Sequence, residues 1–377
     1  MTLKLLCVSI IASASFFLGG VYMKISDIDK NLAVQTTIDD KDFIYFDVRN
    51  EPFKIYGVIP ADDEYDFYRR IPDDVAKATN DGVYGLNHHT AGGRIRFITD
   101  SPKVAMHTRQ SFLSHFSHMP TTGHAGFDVF VTDENGEERH HATLTPPVDI
   151  KDGYDSWFNL GGGLKTVTIN MPLYGGVNEI LIGLKEGATL LPAPEYEHTK
   201  PIVYYGSSIT QGGCASRPGN SYEAILSREL SADHINLGFS GSGRGEQAIA
   251  DYIASLDMSV FVLDYDHNAP DPKHLEATHE NFFKTVRAKH PEMPIIMMSR
   301  PKLHLNEEEK QRLEVIRTTY KNALNAGDKN VYLIEGTEFF DSFGGECATV
   351  DGCHPNDFGF VCMAEHLKPL LEALLEK

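Results

Sequence analysis

The sequence predicts two structural layers in series: an all-β sandwich of jelly-roll type over residues 35–191, then an α/β domain with a parallel sheet over residues 201–377. Three observations predict it. Short runs of alternating apolar and polar residues fill the first half, five near-continuously apolar runs separated by amphipathic stretches fill the second, and a proline-bearing polar segment divides them. A chain of 377 residues is long enough for two cores.

Before the sandwich, Lys4 is followed by a stretch without charge from residue 5 to residue 23, and then by Lys24. About 20 apolar residues suffice to cross a bilayer, so residues 1–24 are expected to be either a cleaved signal peptide or a membrane anchor. Either places the remainder outside the cytoplasm, in a periplasmic or extracellular setting. Four cysteines lie beyond this segment, Cys214, Cys347, Cys353 and Cys362. In an exported protein they are expected either as disulfides, with Cys347 and Cys353 able to close a short loop, or as buried thiols.

The runs "DFIYFDV", "FKIYGVI", "RIRFITD", "GFDVFVTD", "KTVTINM" and "NEILIGL" alternate as half-buried strands do, and Asn135-Gly136 marks a hairpin. No long helical period interrupts them, so the fold up to residue 191 is read as antiparallel. Pro192, Pro194 and Pro201 then bracket a linker at 192–200 that is expected to continue neither a sheet nor a helix. Beyond it come the apolar strands "IVYYG", "HINLGF", "SVFVLDY", "PIIMMS" and "VYLIEG". Helices are expected from about Ser221, Glu246, Asn306 and Phe358, with a long one before Pro291. In such sheets ligands bind beyond the carboxyl ends of the strands.

Charge narrows the partners. With 53 acidic against 34 basic residues and a formal net charge of -19, neither nucleic acid nor an anionic membrane surface is favoured. Neutral substrates fit better.

The conspicuous polar motifs all fall at the strand ends. Gly206-Ser207-Ser208-Ile209 follows the first parallel strand, Gly241 lies in "GFSGSGRGE" after the second, Asn268 in "DYDHNAPD" after the third, and Asp351-Gly352-Cys353-His354 precedes the last helix. A serine hydroxyl needs a base to become a nucleophile. His354 supplies the residue type, Asp351 one that can orient an imidazole, and the backbone N–H groups of Ser208 and Gly241 with the Asn268 amide can donate to a developing oxyanion. Arg217 and Arg244 stand near enough in sequence to contact substrate or to brace the loops.

These four blocks resemble, in order and spacing, those of the SGNH (GDSL) hydrolase superfamily, over roughly residues 200–377. The resemblance implies a flavodoxin-like α/β/α domain and ester hydrolysis with Ser208 as nucleophile, His354 and Asp351 as base and orienting acid, and Ser208, Gly241 and Asn268 as the oxyanion hole. Two positions depart from the family pattern: Ser207 stands where the family name has Asp, and the third block reads Asp266-His267-Asn268-Ala269. The string "YGSSITQGGCASRPGNSY" and the preceding sandwich resemble a bacterial subgroup, some of whose relatives look like polysaccharide O-acetyl esterases. The implied function is an exported serine esterase removing O-acyl, chiefly O-acetyl, groups from a carbohydrate. A lipase or thioesterase of longer chains, and a catalytically silent glycan-binding protein, are the alternatives.

No cofactor and no metal is expected. His115, His118 and His124, with His88-His89 and His140-His141, lack cysteine or carboxylate ligands at a zinc-like spacing and are read as a histidine-rich surface loop. Cys214, without a second base, is read as structural. Trp157 and the tyrosines identify no sugar-binding face.

Overall fold

The computed structural model describes residues 42–62, 65–133, 136–341 and 344–376, together with Val34 and Ile38. The apolar segment 5–23 lies outside the described residues, among which no helix is long and apolar enough to cross a membrane.

Two antiparallel sheets form the first layer. One runs β1 (Phe43–Asp47), β11 (Glu179–Lys185), β4 (Lys103–Arg109), β8 (Gly153–Asn159). The other runs β12 (Leu190–Pro192), β3 (Arg94–Thr99), β9 (Lys165–Asn170), β6 (Phe127–Thr132), β7 (Glu138–Leu144), with β2 (Lys54–Tyr56) paired to β3. A short ribbon joins β5 (Phe112–Leu113) to β10 (Gly175–Gly176). The period-two pattern sets the register: Ile95 faces Ile169 and Phe97 faces Val167, turning four apolar side chains inward together. They meet Val104, Met106, Ile180 and Ile182 of the opposite sheet in one fully buried core. The expected hairpin is present, with β6 and β7 pairing antiparallel across Gly136. The sandwich also carries three helices that the sequence pattern had not suggested, Asp73–Thr79, Asp81–Leu86 and Thr121–His124. They are too short, at seven, six and four residues, to show a 3.6-residue period.

The second layer is a five-stranded parallel sheet in the order β14 (Ala232–Gly238), β13 (His198–Gly206), β15 (Val260–Asp264), β16 (Ile295–Met298), β17 (Val331–Ile334). This is the flavodoxin-like order, with its switch point at β13. The helices Tyr222–Glu229 and Asp357–Leu375 cover one face, and Gln247–Ser255, Pro272–Lys289 and Glu307–Asn325 cover the other. Capping fixes their starts: Asp271, Asn306 and Asn356 each accept a backbone N–H two or three residues into the helix.

The linker is shorter than expected, because both of its ends enter sheets. Pro192 closes β12, an edge strand where a missing N–H costs no ladder bond, and Pro201 lies inside β13 where its register with β14 slips between His198 and Ile202. Only residues 193–197 remain between strands. The two layers form one compact unit. Ala91, Met119, Leu173 and Tyr174 of the sandwich share a buried cluster with Ile209, Tyr222 and Phe360 of the α/β layer. Polar ties add to this: the buried Arg70 guanidinium donates to Gly238 O, Arg94 pairs with Asp233, and the fully buried Asp128 accepts from Arg217 Nη1 (2.8 Å) and Gly219 N (2.9 Å).

Candidate active site

Three strand ends set the site. Gly206 pairs in register with Gly238 on one side and Asp264 on the other, so the loops that follow β13, β14 and β15 leave the sheet at one level. No side chain fits at Gly206, since a Cβ there would lie 2.0 Å from Thr210 Oγ1 and 2.3 Å from Asp264 O. The chain then turns at once into a one-turn helix, Ser208–Gln211, whose N-cap is Ser207; the Ser207 hydroxyl accepts the Ile209 N–H at 3.2 Å. Ser208 opens that turn with only 9% of its surface exposed.

From the other side comes the loop before the last helix. Asp351 Oδ1 accepts the N–H groups of Cys353 (2.9 Å) and His354 (2.8 Å), while Oδ2 lies 2.8 Å from His354 Nδ1. Burial opposes ionisation of Asp351, but the His354 N–H, the His354 ring and the Cys353 N–H together outweigh it and hold the carboxyl below its ordinary range. His354 Nε2 lies 2.9 Å from Ser208 Oγ. Asn356, not His354, caps the last helix. The ring of His354 is therefore spent on Asp351 and Ser208, a chain of contacts along which a proton can leave the serine.

The expected oxyanion donors are arranged differently. Gly241 adopts a left-handed conformation (φ 66°) and its N–H donates to Asn268 Oδ1 at 3.0 Å. Both amide hydrogens of Asn268 go to backbone carbonyls, Phe239 O at 2.9 Å and Gly243 O at 3.0 Å. Gly241 and Asn268 thus come together as expected, with their hydrogens engaged inside the loop rather than aimed at an open position. Beneath them, burial raises the Asp266 carboxyl to about 6 against the pull of Arg300, whose N–H it accepts at 3.2 Å.

Arg244 and Arg217 brace. Arg244 donates through Nε and Nη2 to Gly241 O at 3.0 and 2.9 Å, tying down the Gly241 loop. Arg217 is committed to Asp128 and to the Phe130 ring of the sandwich, 5.3 Å from its centroid, so it serves the junction of the layers rather than substrate contact.

Of the two alternatives for the cysteines, the thiol holds at Cys214, Cys347 and Cys353, so the short Cys347–Cys353 loop is not closed, and of the three only Cys214 is buried. Instead Cys353 Sγ accepts from Arg300 Nη2 at 3.1 Å, and Cys214 is buried with its thiol pushed up to about 12 by burial and by nearby Asp351. The histidine reading is corrected in part: His115, His118, His140 and His141 are exposed as expected, but two others are not. His89 and His124 are buried, and burial lowers their pKa values to about 3 and about 4. His89 Nδ1 meets Gln211 Nε2 at 2.9 Å, and His118, although exposed, sets its ring 5.6 Å from that of His354. His118 is the site residue whose place sequence reasoning missed. Its signal, the motif "HFSHMPTTGH", was visible, but nothing local shows that this loop reaches the other layer.

Residues 199–372 match the GDSL-like Lipase/Acylhydrolase family, and residues 43–190 match the N-terminus of SGNH-hydrolase-type esterases. Among solved structures, a Bacteroides ovatus protein described as a GDSL-like lipase is 28% identical, with a TM-score of 0.80 over 89% of this chain and 98% of that one. The salicylyl-acyltransferase SsfX3 of a tetracycline biosynthetic pathway is 21% identical, with a TM-score of 0.73 over the same shares of the two chains, 89% and 98%. A family two carbohydrate esterase from Clostridium thermocellum, solved with cellohexaose, shares the fold at 16% identity and a TM-score of 0.56, over 76% of this chain and 94% of that one. No curated protein matches. With one family match on each layer, residues 199–372 fall in the GDSL-like lipase/acylhydrolase family and residues 43–190 match the N-terminus of SGNH-hydrolase-type esterases, and the protein is an esterase.

Proposed function

We propose that the chain hydrolyses O-acyl, chiefly O-acetyl, esters of a carbohydrate, with Ser208 as nucleophile, His354 as base and Asp351 as its orienting acid. The observation that carries the reading is the unbroken line of contacts from Ser208 Oγ through His354 to Asp351, at 2.9 and 2.8 Å, between loops 146 residues apart in sequence. Ser208 Oγ bonds to the ester carbonyl carbon as its proton passes to Nε2. The imidazolium formed is stabilised by Asp351 and returns the proton to the departing sugar oxygen; water, activated by the same nitrogen, then releases the acid. Ser208 N–H and Gly241 N–H are the donors proposed for the oxyanion, with Asn268 as the third. For Gly241 this requires sharing its N–H between Asn268 Oδ1 and the substrate oxygen, and for Asn268 a turn of the amide away from Gly243 or Phe239.

The carbohydrate part draws on the fold shared with the cellohexaose-bound esterase. The apolar segment 5–23 is proposed as an export signal or anchor, which would put the site where polysaccharides are met; the mass of the mature chain tests this. The test of function is release of p-nitrophenol from acetate, butyrate and octanoate esters, and of acetate from acetylated oligosaccharides, by wild type, Ser208→Ala and Ser207→Ala. Acetate turnover abolished only in Ser208→Ala supports the reading. Preference for octanoate would favour a lipase or thioesterase, and wild-type and Ser208→Ala turnover that coincide would remove the nucleophile.

A further inference from the structure

One cluster at the site is not used by ester hydrolysis. His118 of the sandwich, Cys214 from the loop after the first parallel strand and His354 each offer one ligand atom, and these atoms lie within 4.8 Å of one another. We propose that the three form a binding site for a thiophilic divalent cation, Zn²⁺ being the fitting chemistry, whose occupancy switches the esterase off.

The donor set argues for the ion. Two imidazoles and one thiolate are ligands of zinc, and at bond lengths of about 2.0–2.3 Å a tetrahedral ion holds its donors roughly 3.3–3.8 Å apart, a contraction within reach of side-chain rotation. The fourth position is left for water. The frame is already rigid where it matters. Cys214 N donates to Pro355 O at 2.9 Å, which fixes the Cys214 backbone against the His354 loop, and Asp351 holds the His354 ring as a carboxylate supports a metal-bound histidine. Phe116 packs its ring 5.9 Å from that of His118 and 4.8 Å from that of Tyr174, steadying the third ligand. The gradient of burial, with Cys214 buried, His354 half-buried and His118 exposed, gives an entry path from solvent.

Binding balances simply. The ion takes the Cys214 sulfur as thiolate, the thiol proton leaves to solvent, and no electron is transferred. A lone pair of His354 is consumed. Whichever ring nitrogen is taken, the base is lost, because Nε2 is the atom facing Ser208 and Nδ1 the one facing Asp351. A second group, Asp351, Cys353 and His354, shares the same histidine, but it lies within one loop whose Asp351–His354 contact is already made. The cluster with His118 is the one that joins both layers.

The inhibitory consequence rests on His354 being the base, whereas binding does not, so the two are read separately. Zn²⁺ is titrated into the chelator-treated full chain against a chromophoric zinc indicator, and p-nitrophenyl acetate turnover is followed at the same buffered Zn²⁺ concentrations. Expected are one high-affinity ion per chain, inhibition that tracks its occupancy and is reversed by chelator, and a loss of about tenfold or more in affinity in His118→Gln and in Cys214→Ser. Both variants turn over ester without added metal, and His115→Gln, altered in the same loop, keeps wild-type affinity. His118 is on the surface, so its variant reports even where Cys214→Ser is unstable. Unchanged zinc affinity in His118→Gln, or zinc binding with undiminished turnover, overturns the proposal. Tight binding to a chain that hydrolyses no ester would leave the site standing and remove the esterase reading instead.

Discussion

The two sides of the site are built to different degrees of readiness. On the proposed base side, Asp351, His354 and Ser208 already lie in contact, in that order. On the proposed oxyanion side, Gly241 N–H is held by Asn268 Oδ1, and the Asn268 amide is shared between two backbone carbonyls. The difference lies in what the groups satisfy without substrate. An imidazole has two nitrogens and finds two partners, whereas an amide donor meant for a transient charge must bond elsewhere until that charge exists. For the proposed mechanism, preorganisation is then strong for proton transfer and looser for charge stabilisation.

Breaking the base side should have the largest effect. Ser208→Ala and His354→Ala are each expected to lower kcat by about 10⁴-fold or more, and the double variant to be no worse than either, because the groups act as one unit. Asp351→Asn should follow at roughly 10³- to 10⁴-fold in kcat with little change in KM, since the ring loses its orientation and charge partner. Rates of the purified variants on p-nitrophenyl acetate check all of these.

The oxyanion side is sharpened by Asn268→Ala, expected to cost about 10²- to 10³-fold in kcat. If Asn268 only ties the loop, the loss should instead appear as a lowered melting temperature with kcat nearly kept. Beneath that loop, Asp266 titrates near 6 in the fold against an ordinary value of 3.8, so the folded state is penalised above pH 6 and not below about pH 4. Asp266→Asn should therefore stabilise the protein at pH 8, by up to about 3 kcal/mol, and the gain should vanish at pH 4 in urea melts. The smallest effect is chemical: with the Cys214 thiol raised to about 12, the thiolate at pH 8 is on the order of 10⁻⁴ of the total. Alkylation mapped by mass spectrometry should mark exposed Cys347 and spare Cys214.

Much of this was legible in the sequence. All five parallel strands and the starts of their helices are where pattern and caps put them, because buried strands are continuously apolar and Asn306 or Asn356 announce a first turn locally. Three of the four blocks converge because in-register strands end together, and the loop before the last helix brings His354 to them. What failed to show was whatever depends on a distant partner. Pro201 read as a breaker because a register slip beside it is invisible in one strand, and His124 read as surface because its burial comes from packing beyond its own loop. His118 stands in a conspicuous motif, but its neighbour His354 lies in the other layer. Direction, too, was hidden: the motifs bring Gly241 and Asn268 together, while the engagement of Gly241 N–H by Asn268 Oδ1 and of the Asn268 amide by Phe239 O and Gly243 O is a property of three dimensions.

The bond from Arg217 to the buried Asp128 bears on how such a chain can change over generations. A recombination that cut within residues 193–197 and joined a foreign sandwich to this catalytic half would strand a cation without its carboxylate, and leave Asp233 and Gly238 O without the Arg94 and Arg70 guanidinium groups they accept from. The halves are therefore not interchangeable parts. Their ancestry should be a shared one, with the trees of the two segments branching alike across relatives.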